Sequence, residues 1–153
     1  MMCPADGYTI STNKAKLDLG VIYEFLHTSY WAEGIPIDVV ARSLNHSLCY
    51  GAYFRDEWGE DEQVGFARVV TDYATFAYIA DVFVLPPHRS QGVGTALLER
   101  VIHDSRLRDI RTWTLFTADA HELYRKFDFE IPKDATRLMR RKVANPYRVP
   151  EKV

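Results

Sequence analysis

YIADVFVLPPHRSQGVGTALL, residues 78–98, is the stretch around which the chain is organised. Its first eight residues are aromatic, β-branched or small apart from Asp81, and they run into Pro86 and Pro87, which have no N–H to give a ladder. The run therefore reads as a buried, central strand that the prolines stop. Next come Arg89, Ser90, Gln91, Gly92, Val93 and Gly94. From Val93 onward, Val93, Leu97 and Val101 recur at i+4 spacing with Leu98 and Ile102 beside them, the pattern of an amphipathic helix. A strand, a tight glycine loop and a helix start bring several unbonded backbone N–H groups together at the positive end of a helix dipole, which is a place for a phosphate. Gly92 and Gly94 let an anion approach the main chain, and Arg89 adds a charge that can meet a phosphate with two prongs.

Two common phosphate loops do not fit. A Walker-type loop needs Lys and then Ser or Thr after its second glycine, and here Gly94 is followed by Thr95 with no lysine. A dinucleotide fingerprint needs a third small residue where Leu97 stands, and it belongs to a parallel unit rather than after a run of hairpin strands.

At 153 residues, with 47% hydrophobic and 26% charged side chains, the chain reads as one globular domain over 1–153, with a core over about 7–142 and an irregular tail over 143–153. A net charge of −2 gives no reason to expect a nucleic-acid partner, and Arg137, Arg140, Arg141 and Lys142 read as a solvated strand edge. Cys3 and Cys49 form neither a disulfide framework nor a metal site, which fits a reducing cytoplasmic setting. Residues 1–12 lack the basic start and apolar core of a signal peptide, and no apolar run approaches the ~20 residues of a bilayer span, so no membrane partner is expected.

The alternating residues 8–11 read as a short first strand. Asp18 reads as the cap of a helix with Ile22, Phe25, Leu26 and Ser29 on one face, and Pro36 as the first residue of a second helix through Leu44. The loop between them gathers Tyr30, Trp31 and Glu33. Residues 47–54 and 63–71 form a hairpin over an acidic turn; by parity Val64, Phe66, Arg68 and Val70 share a face, with Arg68 either at an edge or paired inside. After a turn at Asp72 the chain enters the strand quoted above, and 112–117 reads as its parallel neighbour through a right-handed crossover. A helix over 118–127, capped by Asp119, and closing strands at 128–131 and 136–140 complete the reading.

Val84, Pro86, Arg89, Gly92 and Gly94 resemble the V-x-P-x-x-R-x-x-G-x-G signature with which the GNAT acyltransferase superfamily binds the pyrophosphate of acetyl-CoA. Residues 120–129, AHELYRKFDF, are similar to the family's A-x-x-x-Y-x-K-x-G-F segment, and the element order agrees over nearly all of 7–142. Asp128 departs from the family's glycine, which suggests a different helix exit, and Thr117 stands where an Asn often meets the cofactor.

The resemblance implies an α/β (α+β) fold with a mixed, mostly antiparallel sheet of about six to seven strands and helices on both faces. It implies that main-chain groups of Phe83 and Val84 hold the pantetheine arm and acetyl group. Arg89, Ser90, Gln91, Gly92, Val93, Gly94 and Thr95 would hold the pyrophosphate. It implies transfer of the acetyl group from acetyl-CoA directly to a small-molecule amine, with Tyr124 as the acid that protonates the leaving thiolate. Asp81 is the candidate base, because a carboxylate on an apolar strand is costly without a task; an ion pair to Arg68 is the structural alternative. By alternation Asp81 shares a face with Phe83 unless a bulge intervenes. Tyr30, Trp31, Glu33 and Asp72 would border the acceptor, their rings and carboxylates suiting a cationic or aromatic amine. The competing class is a CoA-binding sensor or interaction module without turnover. The resemblance leaves room for a homodimer.

Overall fold

In the computed structural model the described residues are 5–147. Five strands lie in sequence order: β1 (Tyr8–Ser11), β2 (Leu48–Arg55), β3 (Asp61–Thr71), β4 (Phe76–Val84) and β5 (Thr112–Leu115). β1 to β4 pair antiparallel and β5 joins β4 in parallel, so the sheet is mixed and mostly antiparallel. The fold is α+β, with helices on both faces as expected.

Each helix has a visible cause. α1 (Leu19–Thr28) starts where Asp18 accepts the Val21 N–H, and it buries Ile22 and Leu26. Pro36 caps α2 (Ile37–Asn45) rather than opening it; its fixed φ suits the entry and its missing N–H costs nothing there. Both lie over one face of the sheet, on Cys49, Phe66 and Phe83. α3 (Val93–Ile102) covers the other face with Val93, Leu97, Leu98 and Val101 against Tyr50, Val69 and Ile79. The parity reading of β3 fails at Val64, which packs in the α3 core while Phe66 packs in the α1–α2 core. The register with β2 slips between Ala52 and Tyr53, leaving Val64 as the extra residue.

The closing strands do not form. Residues 128–131 have no ladder partner and 135–137 make a 3-10 turn, so among the described residues the sheet has five strands and not six to seven. Pro132 and the Asp134 turn interrupt the run, and Ile131, Leu138 and Met139 stay exposed, so extended pairing would bury little. Nor does Asp119 cap α4 (His121–Arg125); Thr117 Oγ1 accepts the Ala120 N–H instead, and the helix is shorter than its sequence pattern. Asp128 keeps the glycine-like exit, with φ +66. Cys3 lies outside the described residues, and Cys49 is buried, its thiol pushed up to about 11 by desolvation. Among the described residues no helix is long and apolar enough to cross a membrane, and no cluster of three or more His, Cys, Asp or Glu could hold a metal ion.

Gly65 marks where β2, β4 and α3 close on one another. A Cβ there would lie 3.1 Å from Ala52 Cβ and 3.2 Å from the Phe83 carbonyl oxygen. Gly65→Ala should lower unfolding free energy by about 1–3 kcal/mol, an overpacking cost, read as a reduced urea midpoint at unchanged slope. An unchanged midpoint would show that the junction yields without cost.

Candidate active site

The site is made by a strand that loses its neighbour. β4 and β5 pair from Phe76↔Thr112 to Ile79↔Leu115 and no further, although β4 runs on to Val84. At the point of parting β4 bulges: Phe66 pairs with Phe83 and Arg68 with Ala80, so Asp81 and Val82 together oppose Ala67. Asp81 has φ +52, a left-handed conformation that costs an ordinary residue free energy and that Asp tolerates better than most.

Past the bulge, main-chain groups on the β5 side have no strand to pair with. Leu85 N–H donates to Val64 O at 2.8 Å, toward β3, so by alternation Val84 and Val82 turn their main-chain groups into the gap while Phe83 faces β3. This corrects the expectation for Phe83. Its main chain pairs with Phe66 in the sheet, and its ring stacks on Phe25 at 4.1 Å and 10°. Beside Val84 it is Val82, and not Phe83, whose main chain faces the gap. The alternation of N–H direction in the sequence carried this signal, once the strand's inner edge was known.

The loop that follows has the predicted character. The first α-helical bond of α3 is Ala96 N–H to Gly92 O at 3.0 Å, so the N–H groups of Val93, Gly94 and Thr95 stand free of intrahelical partners. Gly92 is in the left-handed region at φ +80 and Ser90 at +64, which turns the chain into the helix; Gln91 O accepts the Ala5 N–H. Arg89 folds back, its Nε donating to Val84 O at 2.9 Å, which leaves its two Nη groups for an anion. A Cβ on Gly94 would meet Val84 Cγ2 at an unstrained 3.8 Å, so the space beside it is open to a ligand.

Tyr124 stands on α4, 8% exposed, in the wall of a cavity of about 820 Å³ with β5, Phe129 and the segment beyond. Burial above all, with nearby Tyr30 and Asp119 adding to it, pushes its phenol up to about 12, so it holds its proton throughout the physiological range. On the α1–α2 side, Tyr30, Trp31 and Glu33 line a second cavity of about 600 Å³.

Asp81 joins these parts. Its Oδ2 accepts from Arg68 Nε at 2.7 Å and its Oδ1 from Trp31 Nε1 at 2.9 Å; its side chain is 10% exposed, and Arg68 reaches on to Ser47 Oγ at 3.0 Å. Asp81 lies on the Phe83 side of the sheet, as alternation gave it, and the ion pair with Arg68 is present. Both carboxylate oxygens are thus engaged. Asp72 is not brought to this group. Its carboxylate accepts from the N–H groups of Ala74, Thr75 and Phe76 and from the Thr75 hydroxyl, which hold it well below the usual carboxylate range and close the β3–β4 turn.

A sequence profile of the Acetyltransferase (GNAT) domain matches residues 45–131. The chain belongs to the GNAT acetyltransferase family. A Gibberella zeae protein named for acetyltransferase activity is 31% identical over 140 residues, covering 78% of this chain and 76% of its own. A GNAT-family structure from Xanthomonas campestris pv. campestris is 41% identical and superposes with a TM-score of 0.85 over 93% of this chain and 97% of that one. A GNAT structure from Elizabethkingia anophelis with acetyl-CoA bound is 21% identical and shares the fold, with a TM-score of 0.61 over 83% of this chain and 78% of that one.

Gly94 offers the cleaner probe of the loop, because a side chain at Gly92 would also strain its left-handed backbone. Gly94→Ala should keep or raise thermal stability, since alanine is the better helix former, while a methyl group at the anion's approach weakens acetyl-CoA binding by roughly tenfold or more. Calorimetry showing unchanged affinity in the folded variant would remove the loop from the binding site.

Proposed function

We propose that this GNAT acetyltransferase moves an acetyl group from acetyl-CoA directly to a primary amine of a small cationic or aromatic molecule, with Tyr124 protonating the leaving thiolate. The observation that carries the reading is the unpaired end of β4, which leads into the Arg89–Thr95 loop and whose Val82 and Val84 pack against the same cluster as the buried, protonated Tyr124.

The residues fit the donor. Val82 and Val84 main-chain groups can bond an amide-bearing arm as a missing strand would, and the α3 N-terminus with the Arg89 Nη groups accommodates a pyrophosphate. Acetyl-CoA supplies an acetyl group already activated as a thioester, so the nitrogen–acetyl bond forms as the carbon–sulfur bond breaks and the nitrogen's surplus proton passes to solvent. Tyr124 then has one task, to give its proton to the sulfur and regain one from solvent. Its phenol is far less acidic than a thiol, whose ordinary value is about 8.5, so it acts by hydrogen bonding and concerted transfer as charge grows on sulfur. With both oxygens of Asp81 engaged, its part is to position Trp31 and the bulge rather than to remove the amine proton.

Tyr124→Phe distinguishes transfer from mere CoA binding by a sensor module. It keeps the ring and its packing, so acetyl-CoA affinity should hold while turnover falls by about 10²–10⁴-fold, the usual worth of general acid assistance. Turnover within a factor of about three of wild type, with chemistry rate-limiting, would leave Tyr124 a packing role only.

A further inference from the structure

The cavity on the α1–α2 side has a second wall that the sequence motifs do not mention. Tyr30, Trp31 and Glu33 form one side, and Asn145, Pro146 and Tyr147 return from the far end of the described chain to form the other. Asn145, at φ +50, turns the irregular tail back, and Tyr147 packs against the α1–α2 cluster, its Cβ facing Gly34. We propose that Tyr30, Trp31, Tyr147 and Glu33 form a cage for one ammonium group of an acceptor that carries two amines, of which the other is acetylated. The proposal rests on the transferase reading given above.

The composition of the walls sets the ligand's charge. Three aromatic rings and one carboxylate converge, and none of the lining residues is basic. Aromatic faces carry negative potential and attract a cation, an ammonium most of all when its surroundings are partly dry. The rings are also fixed in place, which lowers the cost of binding. Tyr30 and Trp31 meet edge to face at 5.1 Å and 80°, Phe25 backs Trp31 at 6.1 Å, and Asp81 holds the indole N–H.

A nitrogen held this way is protonated and has no lone pair with which to attack. The nucleophile must therefore be a second, neutral amine on the same molecule. Two contacts link the cage to the rest of the site: the Phe25 ring lies against both Trp31 and Phe83 of β4, and Tyr30 lies near enough to Tyr124 to influence its ionisation. Aliphatic diamines and longer polyamines match this layout, one end anchored and the other presented.

The test compares kcat/KM for α,ω-diaminoalkanes with n-alkylamines of equal length, in wild type, Tyr147→Ala, Tyr147→Phe and Glu33→Gln, with thermal melts to confirm folding. Diamines should exceed monoamines by roughly three- to tenfold, in keeping with a partly exposed cation held against aromatic rings. Tyr147→Ala and Glu33→Gln should each raise KM for the diamine several-fold and by clearly more than KM for the monoamine, with acetyl-CoA affinity unchanged, and Tyr147→Phe should behave as wild type. Equal use of monoamines and diamines, or a diamine KM unmoved by Tyr147→Ala and Glu33→Gln, would overturn the cage. If acetyl-CoA binds and no amine releases CoA, the transferase reading fails, and the cage is judged by tetramethylammonium alone. Saturable quenching of tryptophan fluorescence that disappears in Tyr147→Ala upholds it, and no binding overturns it.

Discussion

The contact between Asp81 and its two donors is the constraint on which the site depends. A non-glycine residue at positive φ in the middle of a sheet is costly, by about 1–3 kcal/mol, and persists only where its surroundings fix it. Here Arg68 from β3 and Trp31 from the α1–α2 loop each donate to one carboxylate oxygen, and the Arg68 pair is largely shielded from water, where such bonds are strong. Breaking one side of a buried ion pair costs more than the pair is worth, because the other charge is left stranded. The bulge is thereby held, and with it the divergence of β4 from β5.

Three consequences meet at that divergence. β4 presents Val82 and Val84 main-chain groups to a gap instead of a strand, Arg89 braces the strand's last carbonyl, and the first turn of α3 opens beside it. The parallel pairing that would have satisfied these groups is what a ligand can replace, since an extended arm with amide groups bonds a strand edge as another strand does. Tyr124 stands on α4 and Tyr30 and Trp31 on the α1–α2 loop, so in the proposed reaction leaving group and acceptor would be placed by different elements. The same carboxylate that fixes the bulge fixes the indole, so the geometry of the acceptor wall and that of the splayed strand are tied together.

Much of this was legible in the residues. The apolar run with its two prolines specified β4 to within two residues, the spaced glycines and the i+4 pattern after them specified the loop and the start of α3, and Asp18 specified the start of α1. What was lost depended on long-range pairing. Period-2 alternation cannot see an inserted residue, so it misplaced Val64, and it gave no way to decide which edge of β4 the Phe83 main chain faces. Residues 128–140 have the composition of strands, yet pairing them against β5 needs a buried face that Ile131, Leu138 and Met139 do not have. Asp72 looked like a binding carboxylate because a turn-closing Asp and a ligand Asp are the same residue in a sequence, and only its four donors separate them. Tyr147 was invisible for the opposite reason: nothing local in a polar tail says that it returns to the α1–α2 loop.

In the proposed reading, unpaired main-chain groups of β4 and the first turn of α3 bind the donor together. An amide-resolved NMR titration with coenzyme A measures this directly. The largest shifts should fall on the N–H groups of Val82, Val84, Val93, Gly94 and Thr95, with Phe83 among the less affected because its N–H is spent on β3. Shifts confined to other segments, or a Phe83 amide that moves while Val82 and Val84 do not, would contradict it.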